Sequence, residues 1–155
     1  MHPNTERFLE HVRAALGETV EVRELPEGTH TAADAAAAIG CPLAAIVKSV
    51  VFVADGNPVL VYTAGNHEVE TDALAEHLGA TAVRLAEPDE VKAESGWSIG
   101  GVPPIGHEIE TTLLDPQLLE FDEVWGGAGT PEAVAAFDPR TVKTATNATP
   151  VEVFE

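Results

Sequence analysis

The chain reads as a mixed α/β protein of the α+β kind, one domain with a curved mixed sheet of about six or seven strands flanked by helices. Three observations predict this. Short β-branched runs alternate with helical stripes, each bounded by Gly, Pro, Asn or Asp. Two of the runs meet at Asp55-Gly56, a dipeptide that closes tight hairpins. No repeat, linker or low-complexity tract divides the 155 residues, a length that suits one core.

Glu6 to Leu16 places Phe8, Leu9, Val12, Ala15 and Leu16 along one helical stripe, stopped by Gly17. Thr19 to Leu25, with Val20 and Val22 alternating, reads as a first strand. Thr31 opens a second helix with Asp34 at the capping-box spacing, and Gly40 ends it before Pro42. Pro42 to Ala54 is a strand apolar on both faces, with Ala45, Val47, Ser49, Val51 and Val53 on one side and Ile46, Lys48, Val50 and Phe52 on the other. Val59 to Thr63 returns as the second arm of the hairpin. Glu70 to Leu78 is a short helix, Thr81 to Leu85 a strand, and Pro88 opens a helix running to about Ser95. After a Gly- and Pro-rich loop, strands are expected at Ile109 to Leu114 and Phe121 to Trp125. Thr130-Pro131 reads as a cap and first turn of a helix, Asp138-Pro139 as another, and Pro150 to Phe154 as a closing strand.

Lys48 is the only formally charged residue from Ala35 to Ala54. A lysine in so apolar a strand has two readings. Its stem packs while the amine reaches water, or the amine meets an anionic ligand.

Overall charge excludes other classes. Twenty-six acidic residues against eight basic ones give −18, the reverse of a generic nucleic-acid or membrane-surface binder. Only three of the eight are lysines, and the acidic, alanine-rich composition suggests adaptation to concentrated salt, where the Debye length falls to about 3 Å at 1 M. A lone cysteine, Cys41, permits no internal disulfide and suits a reducing compartment. The N-terminus has no apolar signal region, and the longest apolar run is too short to span a bilayer, so a cytoplasmic protein with no membrane partner is expected.

Familiar catalytic signatures are mostly absent. The chain has no G-x-S-x-G elbow, no complete phosphate-binding loop and no G-x-G-x-x-G. His2, His11, His30, His67, His77 and His107 never fall at H-x-H or H-x-x-x-H spacing, so no metal site and no cofactor are expected. What stands out is Gly100-Gly-Val-Pro-Pro-Ile-Gly-His107. Its glycines allow close approach to a ligand, and Pro103-Pro104 stiffens the turn. A rigid loop with a few aimed amides suits a carbonyl oxygen or the oxyanion it becomes; a structural turn is the other reading.

Ile46-Val-Lys-Ser49, the Gly100 to His107 loop and Phe121-Asp-Glu-Val-Trp-Gly-Gly-Ala-Gly-Thr130, in that order, resemble the YbaK/ProX-type aminoacyl-tRNA deacylases, free-standing relatives of the editing domain of bacterial prolyl-tRNA synthetase. The likeness runs from about Val22 to Val153; residues 1–17 contribute little to it. It implies hydrolysis of the ester joining a wrong amino acid to the tRNA 3′ end, without a metal, with a mischarged tRNA acceptor end as partner and a synthetase or translation-factor carrier as a further one. By position, Lys48 is the lysine that holds the terminal phosphate or ribose, and Gly101 and His107 join it in the catalytic set. Ser49, Gly100, Val102, Pro103 and Gly106 would border the substrate, with Gly127, Gly129 and Thr130 in the pocket wall. His107 has two readings, general base or loop hydrogen-bonding group. Tyr62 and Thr63 are either pocket residues or sheet packing.

Overall fold

An antiparallel hairpin is the spine of the molecule. The structure, a computed structural model describing residues 1–29 and 31–155, pairs β2 (Val47–Ala54) with β3 (Asn57–Ala64) from Val47↔Ala64 to Ala54↔Asn57. Asp55 and Gly56 close it with φ of 48° and 85°, the turn whose twist matches that of the strands. His30 lies outside the described residues.

The larger sheet grows from this hairpin. β4 (Val83–Leu85) pairs antiparallel with the far end of β2, β5 (Thr112–Leu114) runs parallel to β3, and β8 (Thr149–Pro150) parallel to β5. A second, antiparallel sheet has β7 (Ala133–Phe137) between β1 (Val22–Glu24) and β6 (Val124–Gly127). A parallel bridge from Ile46 to Trp125 joins the two. The mixed α+β class and flanking helices agree with expectation. The strands number eight among the described residues, divided five and three between sheets that meet at this bridge.

Five α-helices cover these sheets: α1 (Pro3–Leu16), α2 (Ala32–Ile39), α3 (Thr71–Leu78), α4 (Pro88–Ser95) and α5 (Pro139–Thr146). The expected capping box forms at α2, where Thr31 Oγ1 accepts from the Asp34 N–H and the Asp34 carboxylate accepts from the Thr31 N–H. The alternation along β2 is also observed. Val47, Val51 and Val53 enter one core with Phe8 and Val12 of α1, while Phe52 and Ala54 enter another with Leu74 of α3. A third cluster packs Ala35 and Ala36 of α2 on Ile46, Trp125 and Val134.

Several boundaries move, and one element changes type. No helix opens at Thr130-Pro131. Thr130 Oγ1 accepts from the Glu132 N–H, and the chain turns directly into β7. The alanines of Ala133-Val-Ala-Ala-Phe137 favour helix in isolation, but all five residues are buried between two neighbouring strands, and that burial overrides propensity. Leu43–Ala45 is a 3-10 turn, so the strand expected from Pro42 begins at Val47. Asp115 caps a second such turn at Pro116–Glu120, which delays β6 to Val124. The strands expected from Thr19 and Ile109 shorten to β1 and β5, and the one expected at the C-terminus reduces to β8 plus a bridge between Val69 and Phe154. No helix among the described residues is long and apolar enough to cross a membrane.

Candidate functional site

Where the two sheets diverge beyond the Ile46–Trp125 bridge, a cavity of about 440 Å³ opens between β2, the start of α2, Gly126–Gly127 of β6 and the loop at Gly100–Val102. That volume lies in the range of small-molecule sites. Leu85 and Ile99 stand at its border with more than half their surface exposed, giving it an apolar mouth.

Among the described residues lining this cavity, Lys48 alone carries a formal charge. Its side chain is 27% exposed, and its Nζ donates to the His67 carbonyl at 2.6 Å. Glu68 Oε1 lies 3.5 Å away on a side chain that is 79% exposed, so this ion pair is weak and easily exchanged. An ammonium has three N–H donors, and a single short bond to a neutral carbonyl leaves its charge available to an anion. The carbonyl that positions Lys48 is itself well anchored. Asp115, 1% exposed, accepts from His67 Nδ1 at 2.7 Å and from the backbone N–H groups of Ala64 and Gln117, both at 3.0 Å. The imidazole of His67 also stacks on Phe154 with ring centroids 5.7 Å apart.

Glycine makes the rim possible by letting two backbones touch. The Gly129 N–H donates to the Gly101 carbonyl at 3.0 Å, and a Cβ on Gly101 would sit 2.8 Å from both Cα and N of Thr130. A Cβ on Gly127 would fall 2.9 Å from the Val102 carbonyl, and one on Gly126 would fall 2.6 Å from Cγ of Pro104. From outside, α1 clamps the same loop. Arg7 donates to the Gly96 carbonyl and lies over the Trp97 ring, while His11 packs against the Gly106 position.

His107 completes the loop from beneath. Its Nδ1 accepts from the Ile109 N–H at 3.1 Å, so Nε2 carries the proton and donates at 2.6 Å to Tyr62 Oη, which in turn donates to the Pro104 carbonyl at 2.7 Å. Burial holds the imidazole down to about pKa 4 and pushes the Tyr62 hydroxyl up. The ring is neutral with both nitrogens engaged, and it does not line the cavity.

Of the expected site residues, the cavity wall therefore brings together Lys48, Ser49, Gly100, Val102 and Gly127. Gly101, Pro103, Gly106, His107 and Gly129 do not line it, and Thr130 borders a neighbouring cavity of about 910 Å³ beside the N-terminus. Tyr62 and Thr63 are buried away from the cavity. The His67–Asp115 pair beneath Lys48 carries no sequence motif. Its one signal is Asp115-Pro116, an N-cap with a proline after it, which speaks of a turn. Among the described residues no group of three or more His, Cys, Asp and Glu could hold a metal ion.

Residues 26–144 match the profile of the aminoacyl-tRNA editing domain. A proline–tRNA ligase of Nitratidesulfovibrio vulgaris is 36% identical over 99 residues, covering 63% of this chain and 17% of the ligase. The chain thus spans about a fifth or less of the length of the ligases it resembles. The uncharacterized protein YwhH of Bacillus subtilis is 32% identical over 123 residues, 77% of each chain. The crystal structure of a candidate trans-editing enzyme for prolyl tRNA synthetase superposes with a TM-score of 0.93 at 33% identity, covering 100% of this chain and 99% of that one.

Proposed function

Because the chain belongs to the aminoacyl-tRNA editing domain family, we propose that it is a free-standing trans-editing hydrolase. Its reaction is water attack on the ester that joins a mischarged amino acid to the tRNA 3′ end, with proline tRNA as the carrier. The observation that carries this reading is Lys48 itself, the one formally charged residue among the described residues lining a small cavity. The cavity has the scale of an aminoacyl group with its terminal ribose, and the amine supplies the single positive point that a phosphate or ribose oxygen needs. An aminoacyl ester is already activated, so positioning and oxyanion stabilisation suffice without a metal or cofactor.

In this reading Lys48 anchors the acceptor end, and Ser49, Gly100, Val102 and Gly127 border the acyl group. Gly101, Pro103, Gly106, Gly129 and Thr130 hold the rim in shape. His107 is a positioning residue: its hydrogen bonds join the loop to Tyr62, and a neutral ring with no free lone pair is not a base. The protein works in the cytoplasm in concentrated salt, where screening lets an acidic chain approach a polyanion, alone or carried by a synthetase or translation factor.

Proline tRNAs charged with alanine or with cysteine, assayed in molar salt, test the proposal. Amino-acid release by the wild-type protein that falls at least 100-fold in a folded Lys48→Ala variant is expected. Tight binding with no release would instead make the protein a ligand-binding module, and unchanged release by Lys48→Ala would remove the anchor.

A further inference from the structure

Between the bridge at Ile46 and the pairing of Phe52 with Leu85, β2 has no strand on its outer edge among the described residues, and this open stretch borders the cavity. The direction of its polar backbone groups follows from two independent features. In a two-residue hairpin the residues flanking the turn form a hydrogen-bonded pair, here Ala54 and Asn57. Counting back in twos, Phe52, Val50 and Lys48 bond β3, and the residues between them point outward. The Val51 carbonyl does point outward, accepting from the Ala86 N–H at 3.0 Å. Ser49, two residues earlier, aims its N–H and C=O at the gap, and its buried Oγ has no partner. Of the loop amides expected to serve an oxyanion, that of Gly101 is already engaged, since its N–H donates to the Ser98 carbonyl at 3.0 Å.

We propose that the main chain of Ser49 grips the aminoacyl group as a one-residue β-bridge, with its N–H on the scissile carbonyl oxygen and its C=O on the α-amine. This rests on the deacylase reading above. An aminoacyl ester carries an amine and a carbonyl on one Cα, as a strand residue does, and the gap is closed at both ends, so it admits one such unit and no peptide strand. When water adds to the carbonyl carbon, the C=O π pair moves to oxygen and the Ser49 N–H receives that charge. Collapse restores C=O and breaks the bond to the ribose oxygen, which takes up the proton that water lost. Ester and water thus become the free amino acid and a ribose hydroxyl. The donor sits in a strand paired along its other edge, so it is held in place before the reaction begins.

Backbone substitution at position 49 of the full chain tests the assignment. Ser49→Ala is the reference, and its partner carries the α-hydroxy analogue of alanine, introduced by nonsense suppression, which replaces the N–H by oxygen. Ser49→Pro removes the same donor by a second route and is tolerated only where an N–H faces away from the ladder. Each is assayed in single turnover on proline tRNA charged with alanine or with cysteine, in molar salt, alongside its urea unfolding curve. The expected result is a rate at least about 100-fold lower for the ester backbone than for Ser49→Ala, the usual loss of one oxyanion donor. The ester form should unfold at only a slightly lower midpoint, because no described residue accepts from the Ser49 N–H and the loss is confined to the weaker ester carbonyl of Lys48 in its pairing with β3. Equal rates for the two folded forms overturn the inference and leave the deacylase reading standing. A wild-type protein that releases neither amino acid overturns both.

Discussion

Substituting Gly101 by alanine puts a methyl group where two backbones already touch. The new Cβ would lie 2.8 Å from Cα and N of Thr130 and 2.9 Å from the Gly129 carbonyl carbon. Comfortable contact is about 3.5–4.0 Å, so the rim must part from the 129–130 turn by about 1 Å. All three obstructing atoms belong to main chain, and no flexible side chain can swing aside. The Gly129 N–H to Gly101 carbonyl bond, 3.0 Å long, would stretch with the separation. Overpacking of this kind costs about 1–3 kcal/mol, a loss that leaves a domain folded. The larger effect falls on the cavity, because Gly100 and Val102, on either side of Gly101, form its wall. A displacement of about 1 Å at a reacting centre costs on the order of 100-fold in rate. Single-turnover hydrolysis of mischarged proline tRNA, with a urea curve on the same preparation, reads both numbers. Wild-type kinetics in a variant destabilised as expected would show that the rim has no part in placing the substrate.

Three further outcomes follow from the same geometry. Tyr62→Phe leaves the His107 Nε2–H and the Pro104 carbonyl without their shared partner, and urea unfolding should show a loss of about 2–6 kcal/mol, given about 1–3 kcal/mol for each unsatisfied buried group. Acid should weaken the fold through His107. The unfolded imidazole takes its proton below about 6.5 and the folded one only near 4, so this stability is complete above pH 6.5 and declines by about 3 kcal/mol as pH falls to 4. The difference between wild type and His107→Gln, measured from pH 7 to 4 in molar salt, should shrink over that window; a flat difference contradicts the buried neutral ring. Finally, with a net charge of −18, dialysis into dilute buffer should lower the unfolding midpoint, and an unchanged midpoint would dismiss adaptation to salt.

Local rules carried much of this fold. Asp55-Gly56 and the Thr31 capping box form as their residues require, and the two-faced burial of β2 follows from its unbroken apolar run. Local rules fail at Ala133–Phe137, where alanine argues for helix and only the flanking strands, more than a hundred residues away in one case, decide otherwise. The candidate site divides in the same way. Lys48 announces itself by charge contrast, and Gly100–Gly101 by composition. The His67–Asp115 support joins residues 48 apart in sequence with no pattern between them, so only tertiary structure displays it. The free edge at Ser49 is equally silent, because an unmatched amide is a property of what fails to lie beside it.

A solitary ammonium recessed in so acidic a molecule has a kinetic consequence. Most nucleic-acid binders lose association as electrolyte is added, because their cations no longer draw the polyanion in. With tRNA as the proposed partner, encounter would begin as repulsion between two anions, and a single phosphate contact at Lys48 would contribute a slope of only about −0.7 in log affinity against log salt. Second-order capture of charged tRNA should therefore accelerate as ionic strength climbs, up to the point where the recessed contact itself is shielded.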